Sequence, residues 1–218
     1  MNDIFKAIVA LFLTTAAAGF IIAFSHASTA QLLSAQTRQE QSAVEQLFAK
    51  GSAIVAATGK TPLPSRYWIA KKGTVTYGYA FLMETSGYFG PIRVVVGVDT
   101  GGGIVGMAVL SQSEAPGRGA RMEERISKRT LWNGFFTGKE NVRPWFTEQF
   151  KGINVKRPLS IAVGTPEWPE LPEKAKKDFV DKNTISGISG ATVTSRAVVK
   201  GIEKTVAPYL AAVRGANR

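Results

Sequence analysis

Residues 74–110 read TVTYGYAFLMETSGYFGPIRVVVGVDTGGGIVGMAVL, and this stretch decides the fold. Val75, Tyr77, Tyr79, Phe81 and Met83 fall on one side of an extended chain and Thr74, Thr76, Gly78, Ala80 and Leu82 on the other, the period-two signature of a strand. Gly87-Tyr88-Phe89-Gly90-Pro91 then reads as a turn, 92–98 as a β-branched run, 99–103 as a second turn rich in glycine, and 104–110 as a further strand. Consecutive strands joined by short turns form an antiparallel meander. The glycines of 101–106 also fit G-x-G-x-x-G. A dinucleotide fingerprint needs a helix to begin where Met107-Ala108-Val109-Leu110 continues a strand, so these glycines read as hairpin residues. Gly138-Lys139 lacks the glycine spacing and the following Ser/Thr of a P-loop.

Upstream the pattern is different. Between Lys6 and Arg38 there is no Asp, Glu, Lys or Arg, and 7–24 (AIVALFLTTAAAGFIIAF) is almost wholly apolar. Extended to about 20 residues, such a run spans a hydrocarbon core of about 30 Å as a helix. It reads as a retained anchor; a cleaved signal peptide is the competing reading, with Ser28-Thr29-Ala30 as its small-residue cleavage site. His26 falls at the membrane exit and reads as an interfacial side chain. Residues 31–57 are rich in Ala, Gln and Leu and predict a juxtamembrane helix ended by Gly59 and Pro62.

Downstream of the meander, helical spacing of Ile126, Leu131 and Trp132, with Phe135 and Phe136, predicts a helix over 123–136. A Pro-rich passage, 164–172, precedes a short charged helix at 173–180. Ala197, Val198, Ile202, Val206 and Leu210 predict an amphipathic terminal helix over 194–213, bent at Pro208. Strands followed by helices without strict alternation give an α+β class: one N-terminal transmembrane helix, then a single domain of antiparallel sheet plus helices. The expected boundaries are a cytoplasmic tail at 1–6, an anchor at 7–30, a juxtamembrane helix and linker at 31–62, and an exported domain at 63–218.

Composition narrows the chemistry. The chain has 218 residues, 44% of them hydrophobic, ample for a packed core. It has no Cys and one His, which excludes disulfide scaffolds, thiolate metal sites and His-based triads. Oxygen groups, carboxylates or a borrowed cofactor must carry any chemistry, and composition singles out no catalytic residue and no metal ligand among them. The 27 Lys+Arg against 16 Asp+Glu give a net charge of +11, attractive to anionic partners. That charge is spread through the domain: among residues 38–60 only Arg38, Lys50 and Lys60 are basic, which weighs against a mere lipid-holding or structural module.

Ser186-Gly187-Ile188-Ser189-Gly190-Ala191-Thr192-Val193-Thr194-Ser195 gathers hydroxyls and small residues directly before the last helix. Gly190 and Ala191 leave room for a bulky group, and the N–H groups of a helix start favour a phosphate. A Ser/Thr N-cap with its turn is the other reading of the same residues.

Ser189-Gly190-Ala191-Thr192 resembles the S/T-G-A-T flavinylation motif of the FMN-binding domain shared by the G subunit of Rnf-type electron transport complexes and the C subunit of Na⁺-translocating NADH:quinone reductases. Gly87-Tyr88-Phe89-Gly90-Pro91-Ile92 with Val96-Gly97-Val98-Asp99 is similar to that family's G-Y-x-G-P-I…V-G-I-D stretch, and Glu114-Ala115-Pro116-Gly117-Arg118-Gly119-Ala120 resembles its E-T-P-G-L-G-A segment. The resemblance implies an exported FMN-binding domain in a single-pass inner-membrane protein, with the domain on the periplasmic or extracellular side. It implies FMN joined by a phosphoester to Thr192, with Thr194 the second choice, installed by a separate flavin transferase that uses FAD. Ser189, Gly190 and Ala191 would shape the phosphate turn, and Glu114, Gly117 and Gly119 would line the flavin pocket. Gly90 and Pro91 read as turn residues. Arg118 and Arg121 are basic groups for an anionic flavin, although a nearby Arg is expected by chance in so basic a chain.

The implied function is an electron-carrier subunit of an ion-pumping redox complex, a part of an oxidoreductase rather than a stand-alone enzyme. The short chain leans toward the Rnf type, which links ferredoxin and NAD, over the quinone reductase. Its partners would be the complex's other membrane subunits, the flavin transferase and membrane lipid, with no nucleic acid. The chain departs from the family in three places: Ser186 stands where an acid is common six residues before the acceptor, Ala115 replaces a Thr, and Arg118 replaces a Leu.

Overall fold

The apolar run forms helix α1, Asn2–Leu47. Within it, Ile4–Ser25 has a mean hydropathy of 2.4 over 22 residues, long and apolar enough to cross a membrane. The structure is a computed structural model that describes residues 2–48, 51–59, 64, 66–126 and 143–216. The chain divides into two compact units, Met1–Gln41 and Ser42–Arg218.

The predicted juxtamembrane helix is too long at its C-terminal end. The helix ends at Leu47, Gly51 takes a positive φ of +91°, which a continued helix would not allow, and Ala53–Ala57 form a strand, β1. Ile54 and Val55 are β-branched and gain a partner in β2, Tyr67–Lys72, in the register Ala53↔Lys71 to Ala57↔Tyr67. The sheet therefore begins upstream of residue 63. Strands β3 (Val75–Ser86), β4 (Pro91–Asp99) and β5 (Ile104–Ser111) make the expected meander, and the sheet runs β1-β2-β3-β4-β5, antiparallel throughout. Thr100–Gly103 turn the hairpin, while Gly106 lies within β5: Asp99 Oδ1 accepts the Gly103 N–H at 2.9 Å, and Gly102 sits at φ +100°.

Alternation sorts the two faces. Tyr79, Phe81 and Met83 of β3 with Ile92, Val94, Val96 and Val98 of β4 face the main core. Val44, Leu47 and Phe48, at the start of the second unit, cover the other face against Trp68, Ala70, Ala80 and Val95. Gly97 pairs with Gly106 across β4 and β5, and Gly78 lies diagonally beside them on β3, leaving a smooth seat for two large side chains. A Cβ on Gly78 would stand 2.7 Å from the Val98 carbonyl oxygen and 2.9 Å from Phe48 Cε1. Gly78→Ala is therefore expected to destabilise the domain by about 1–3 kcal/mol through overpacking, read as a lower midpoint in thermal unfolding.

After β5 come a 3₁₀ turn, Gly119–Glu123, and a single helical turn, α2, Trp145–Glu148. The helix predicted over 123–136 is not present at Glu124, Arg125 and Ile126, where the chain leaves the 3₁₀ turn extended, and the rest of it lies outside the described residues. Strand β6, Ser160–Ala162, pairs in parallel with β7, Thr184–Ser186, across the short helix α3, Glu173–Asp181.

The terminal segment is α4, Thr192–Gly201, a π turn, Ile202–Val206, and α5, Ala207–Ala216. The irregularity thus precedes Pro208, in place of the expected bend at it. Pro208 lacks an N–H and its ring crowds the carbonyl four residues back, a conflict that a widened turn relieves. The buried positions Val198, Ile202, Val206 and Leu210 are four residues apart. In a regular α-helix that spacing drifts about 40° per step, and the π turn takes up part of the drift. Gly201 is where this segment meets β3: a Cβ there would lie 2.8 Å from Met83 Sδ.

Candidate functional site

The site grows from the short parallel pair. Buried Gln149 acts on β7 as a strand would: its Oε1 accepts the Ser186 N–H at 2.8 Å and its Nε2 donates to the Ser186 carbonyl at 3.1 Å. Gly187 N–H donates to the Ala162 carbonyl at 3.0 Å. The chain then turns. Ser195 Oγ accepts the Ile188 N–H at 3.0 Å and donates to the Ala191 carbonyl at 3.1 Å, stapling the turn to α4. Gly190, at φ +73°, is the left-handed residue that lets it close.

Ala191 occupies the N-cap of α4 and no side chain caps it, so the Ser/Thr N-cap reading fails among the described residues. Of the first N–H groups, that of Ser195 reaches the Ala191 carbonyl; those of Thr192, Val193 and Thr194 precede the first intrahelical acceptor. Thr192 is half-buried at the helix start and Val193 is exposed. Thr194 is different: it is 1% exposed, and its Oγ1 donates to Glu114 Oε2 at 2.5 Å.

Glu114 links three segments. Its Oε1 accepts the N–H groups of Tyr88 and Phe89 at 2.8 and 3.0 Å, while Oε2 takes the Thr194 hydroxyl. Serving only as an acceptor suits the ionised carboxylate. The Ala115 carbonyl accepts from the Arg118 and Ala120 N–H groups, and Gly117 at φ +72° makes that turn possible.

These segments enclose a cavity of about 340 Å³. Tyr88 and Phe89 form one wall, their rings in an edge-to-face pair with centroids 4.9 Å apart. Glu114, Ala115, Arg118 and Gly119 form a second, and Gly190 to Thr194 a third. Of the residues marked in the sequence, Thr192, Thr194, Gly190, Ala191, Glu114 and Gly119 meet here. Ser189 and Gly117 do not line the cavity; they shape its turns. Arg118 lines it, whereas Arg121 is engaged elsewhere. A larger hollow of about 400 Å³, lined by Lys156, Leu210 and Arg214 among others, holds none of the marked residues.

Sequence reasoning missed Gln149 and Glu167, and gave Ser195, the last of the hydroxyl-rich run, no role of its own. Glu167 Oε1 accepts the Ser189 N–H at 2.9 Å and Arg121 Nη1 at 2.8 Å, and Oε2 accepts Arg121 Nη2 at 2.7 Å. Burial pushes the Glu167 carboxyl up, but the Arg121 and Ser189 hydrogen bonds and the guanidinium charge outweigh it and hold it below its ordinary value. With a lowered folded pKa, this stabilisation is present at neutral pH and is lost as pH falls through the folded value. Hydrogen bonding to Glu167 raises Arg121, against the opposing pull of burial. Ser186, at the position where an acid is common, is buried and its Oγ donates to the Pro166 carbonyl at 3.0 Å.

The residues present fit FMN. The volume suits a planar ligand within the usual range of about 300–1,000 Å³, Tyr88 and Phe89, 65% and 63% exposed, offer aromatic surface, and the uncapped N–H groups of α4 offer donors to a phosphate.

Residues 87–207, more than half of the chain, match the model of the FMN-binding domain. The chain belongs to the FMN-binding domain family. The FMN-binding domain begins at the Gly87 turn and runs through the π turn, taking in every wall of the cavity. The G subunit of the Na⁺-translocating ferredoxin:NAD⁺ oxidoreductase complex of Acetobacterium woodii is 28% identical over 143 residues, 65% of this chain and 54% of that protein. The G subunit of the ion-translocating oxidoreductase complex of Vibrio vulnificus is 28% identical over 172 residues, 76% of this chain and 65% of that protein. The match thus spans between about half and two thirds of the length of these relatives. The C subunit of the Na⁺-translocating NADH-quinone reductase of Parabacteroides distasonis, a solved structure, is similar at a TM-score of 0.44 and 22% identity, over 67% of this chain and 62% of that one.

Proposed function

We propose that this FMN-binding domain is the electron-carrier part of a membrane ion-pumping redox complex of the Rnf type, with FMN held by a phosphoester on Thr192. One observation carries the choice of residue. The Thr192 hydroxyl stands at an uncapped helix start on the cavity wall, whereas that of Thr194 is buried and committed to Glu114. A threonine hydroxyl is a weak nucleophile that needs an activating base. The one His of the chain lies at position 26, so a separate flavin transferase supplies the base. In that reaction the Thr192 Oγ–H bond and the pyrophosphate bond of FAD break, the new P–O bond forms, and AMP leaves.

Bound FMN supplies electron transfer in one- or two-electron steps. The chain's own residues would do the rest: Tyr88 and Phe89 would offer the ring system aromatic surface, the α4 N–H groups would receive the phosphate, and Glu114 holds the walls together. In this reading residues 7–30 anchor the chain in the inner membrane, the domain lies on the periplasmic or extracellular side, and the other membrane subunits of the complex are its partners. The names of the relatives favour the Rnf type over the quinone reductase. The test is in-gel fluorescence under ultraviolet light after co-expression with a flavin transferase. A fluorescent band in the denatured wild type is expected; a dark band in its place points to a non-redox tethered module.

A further inference from the structure

We propose that Glu167, held by Arg121, is a positioning residue for FMN attachment: it fixes the turn ahead of α4 so that the Thr192 hydroxyl is presented to the transferase. The inference rests on Thr192 being the acceptor. The other bonds of the turn hold its two ends, Ile188 N–H to Ser195 Oγ and Ala191 N–H to the Ile188 carbonyl. Ser189 and Gly190 between them are the stretch to be held, and among the described residues the bond from Ser189 N–H to Glu167 is what fastens this middle to the body of the domain. A glycine at positive φ has wide conformational freedom, so a turn without that bond has many more ways to lie.

Arg121 makes the arrangement possible in two ways. Its fork meets both oxygens of Glu167, which aims Oε1 at Ser189, and its Nε donates to Glu124 Oε2 at 3.0 Å. Glu124 Oε2 in turn accepts Trp145 Nε1 at 3.2 Å, so the hold ends on a buried indole. The guanidinium also offsets the charge of the Glu167 carboxylate that it forks, which lessens the repulsion a phosphate brought to the turn would meet.

The full-length chain, purified in detergent, is incubated with FAD and a purified FAD-dependent flavin transferase, and attachment is followed by intact mass while the acceptor concentration is varied. Glu167→Ala is expected to lower kcat for attachment roughly tenfold, the loss of one charge-assisted bond, with KM little changed because the docking surface is intact. Arg121→Ala lowers it comparably by leaving the carboxylate misaimed and uncompensated. Glu167→Gln, whose amide oxygen still accepts from Ser189, recovers most of the rate. In Arg121→Ala the Ser189 amide exchanges its hydrogen faster than in the wild type, while that of Ser195 does not. A wild-type kcat in folded Glu167→Ala overturns the proposal, as does Arg121→Ala with wild-type attachment and exchange, or Glu167→Gln impaired as deeply as Glu167→Ala. If Glu167→Ala does not fold, the Arg121→Ala and Glu167→Gln results decide. Failure of the underlying reading looks different: the wild-type chain itself gains no FMN, or Thr192→Val gains as much as the wild type.

Discussion

Thr192→Val is expected to abolish covalent flavin while leaving the stability of the domain unchanged, and Thr194→Val to lower its stability while the folded chain still takes up flavin. Valine keeps the shape of threonine and removes the hydroxyl. Thr192 lines the cavity at the first position of α4, so on the proposed chemistry the substitution removes the acceptor oxygen and no packing. At 194 the hydroxyl is buried and donates to Glu114 Oε2 at 2.5 Å. Its loss costs about 1.5–3 kcal/mol, the usual worth of a hydrogen bond to a charged group. Intact mass and thermal unfolding of the two variants, each co-expressed with the transferase, separate the outcomes. Flavin retained by Thr192→Val and lost from a folded Thr194→Val chain moves the acceptor to 194.

Glu114→Ala is expected to have the largest effect on stability among substitutions at the cavity, about 2–4 kcal/mol, because it strands a buried hydroxyl and frees two loop N–H groups at once. Gly119→Ala reaches the same carboxylate from the other side. Its Cβ would run into Glu114 Oε2, and would stand 2.7 Å from Glu114 Cβ and 2.8 Å from Thr194 Oγ1. Gly87 is crowded in the same way by Glu114 Oε1 and by Ile92 Cδ1, the latter at 2.7 Å. Both glycines are therefore spacers around one carboxylate. Both variants should lower the unfolding midpoint and the yield of flavinylated chain together. A Glu114→Ala chain with wild-type stability and flavin content removes the carboxylate from its place at the centre of the site.

Much of this was legible in the sequence because two signals are local. Alternation from Val75 to Met83 and the β-branched run at 92–98 announce β3 and β4 without reference to anything distant, and the uncharged run after Lys6 announces α1. Strand β1 was not legible: Ala53–Ala57 carry a helix-compatible composition, and only the left-handed Gly51 and the partner strand β2 make them extended. Strands β6 and β7 are three residues each, too short for a period to register. At the site, most of the motif residues converge on one cavity, and Glu114 among them holds its walls, but two of the polar groups that fix the last turn come from outside the motifs. Gln149 and Glu167 stand 37 and 22 residues before the backbone groups they bind, at Ser186 and Ser189, and no local pattern marks either. Arg118 and Arg121 read alike in the sequence; the fold sends one to the cavity and the other to Glu167.

The π turn at Ile202–Val206 constrains how this chain tolerates insertions and deletions. Each residue of a helix advances its azimuth by about 100°, so removing one residue there would carry Leu210 and Val213 off the face they share with Val198 and Ile202. Length variation in the family is therefore to be sought in surface connections such as that around Gly164, and the spacing between Thr192 and the end of α5 behaves as a fixed ruler.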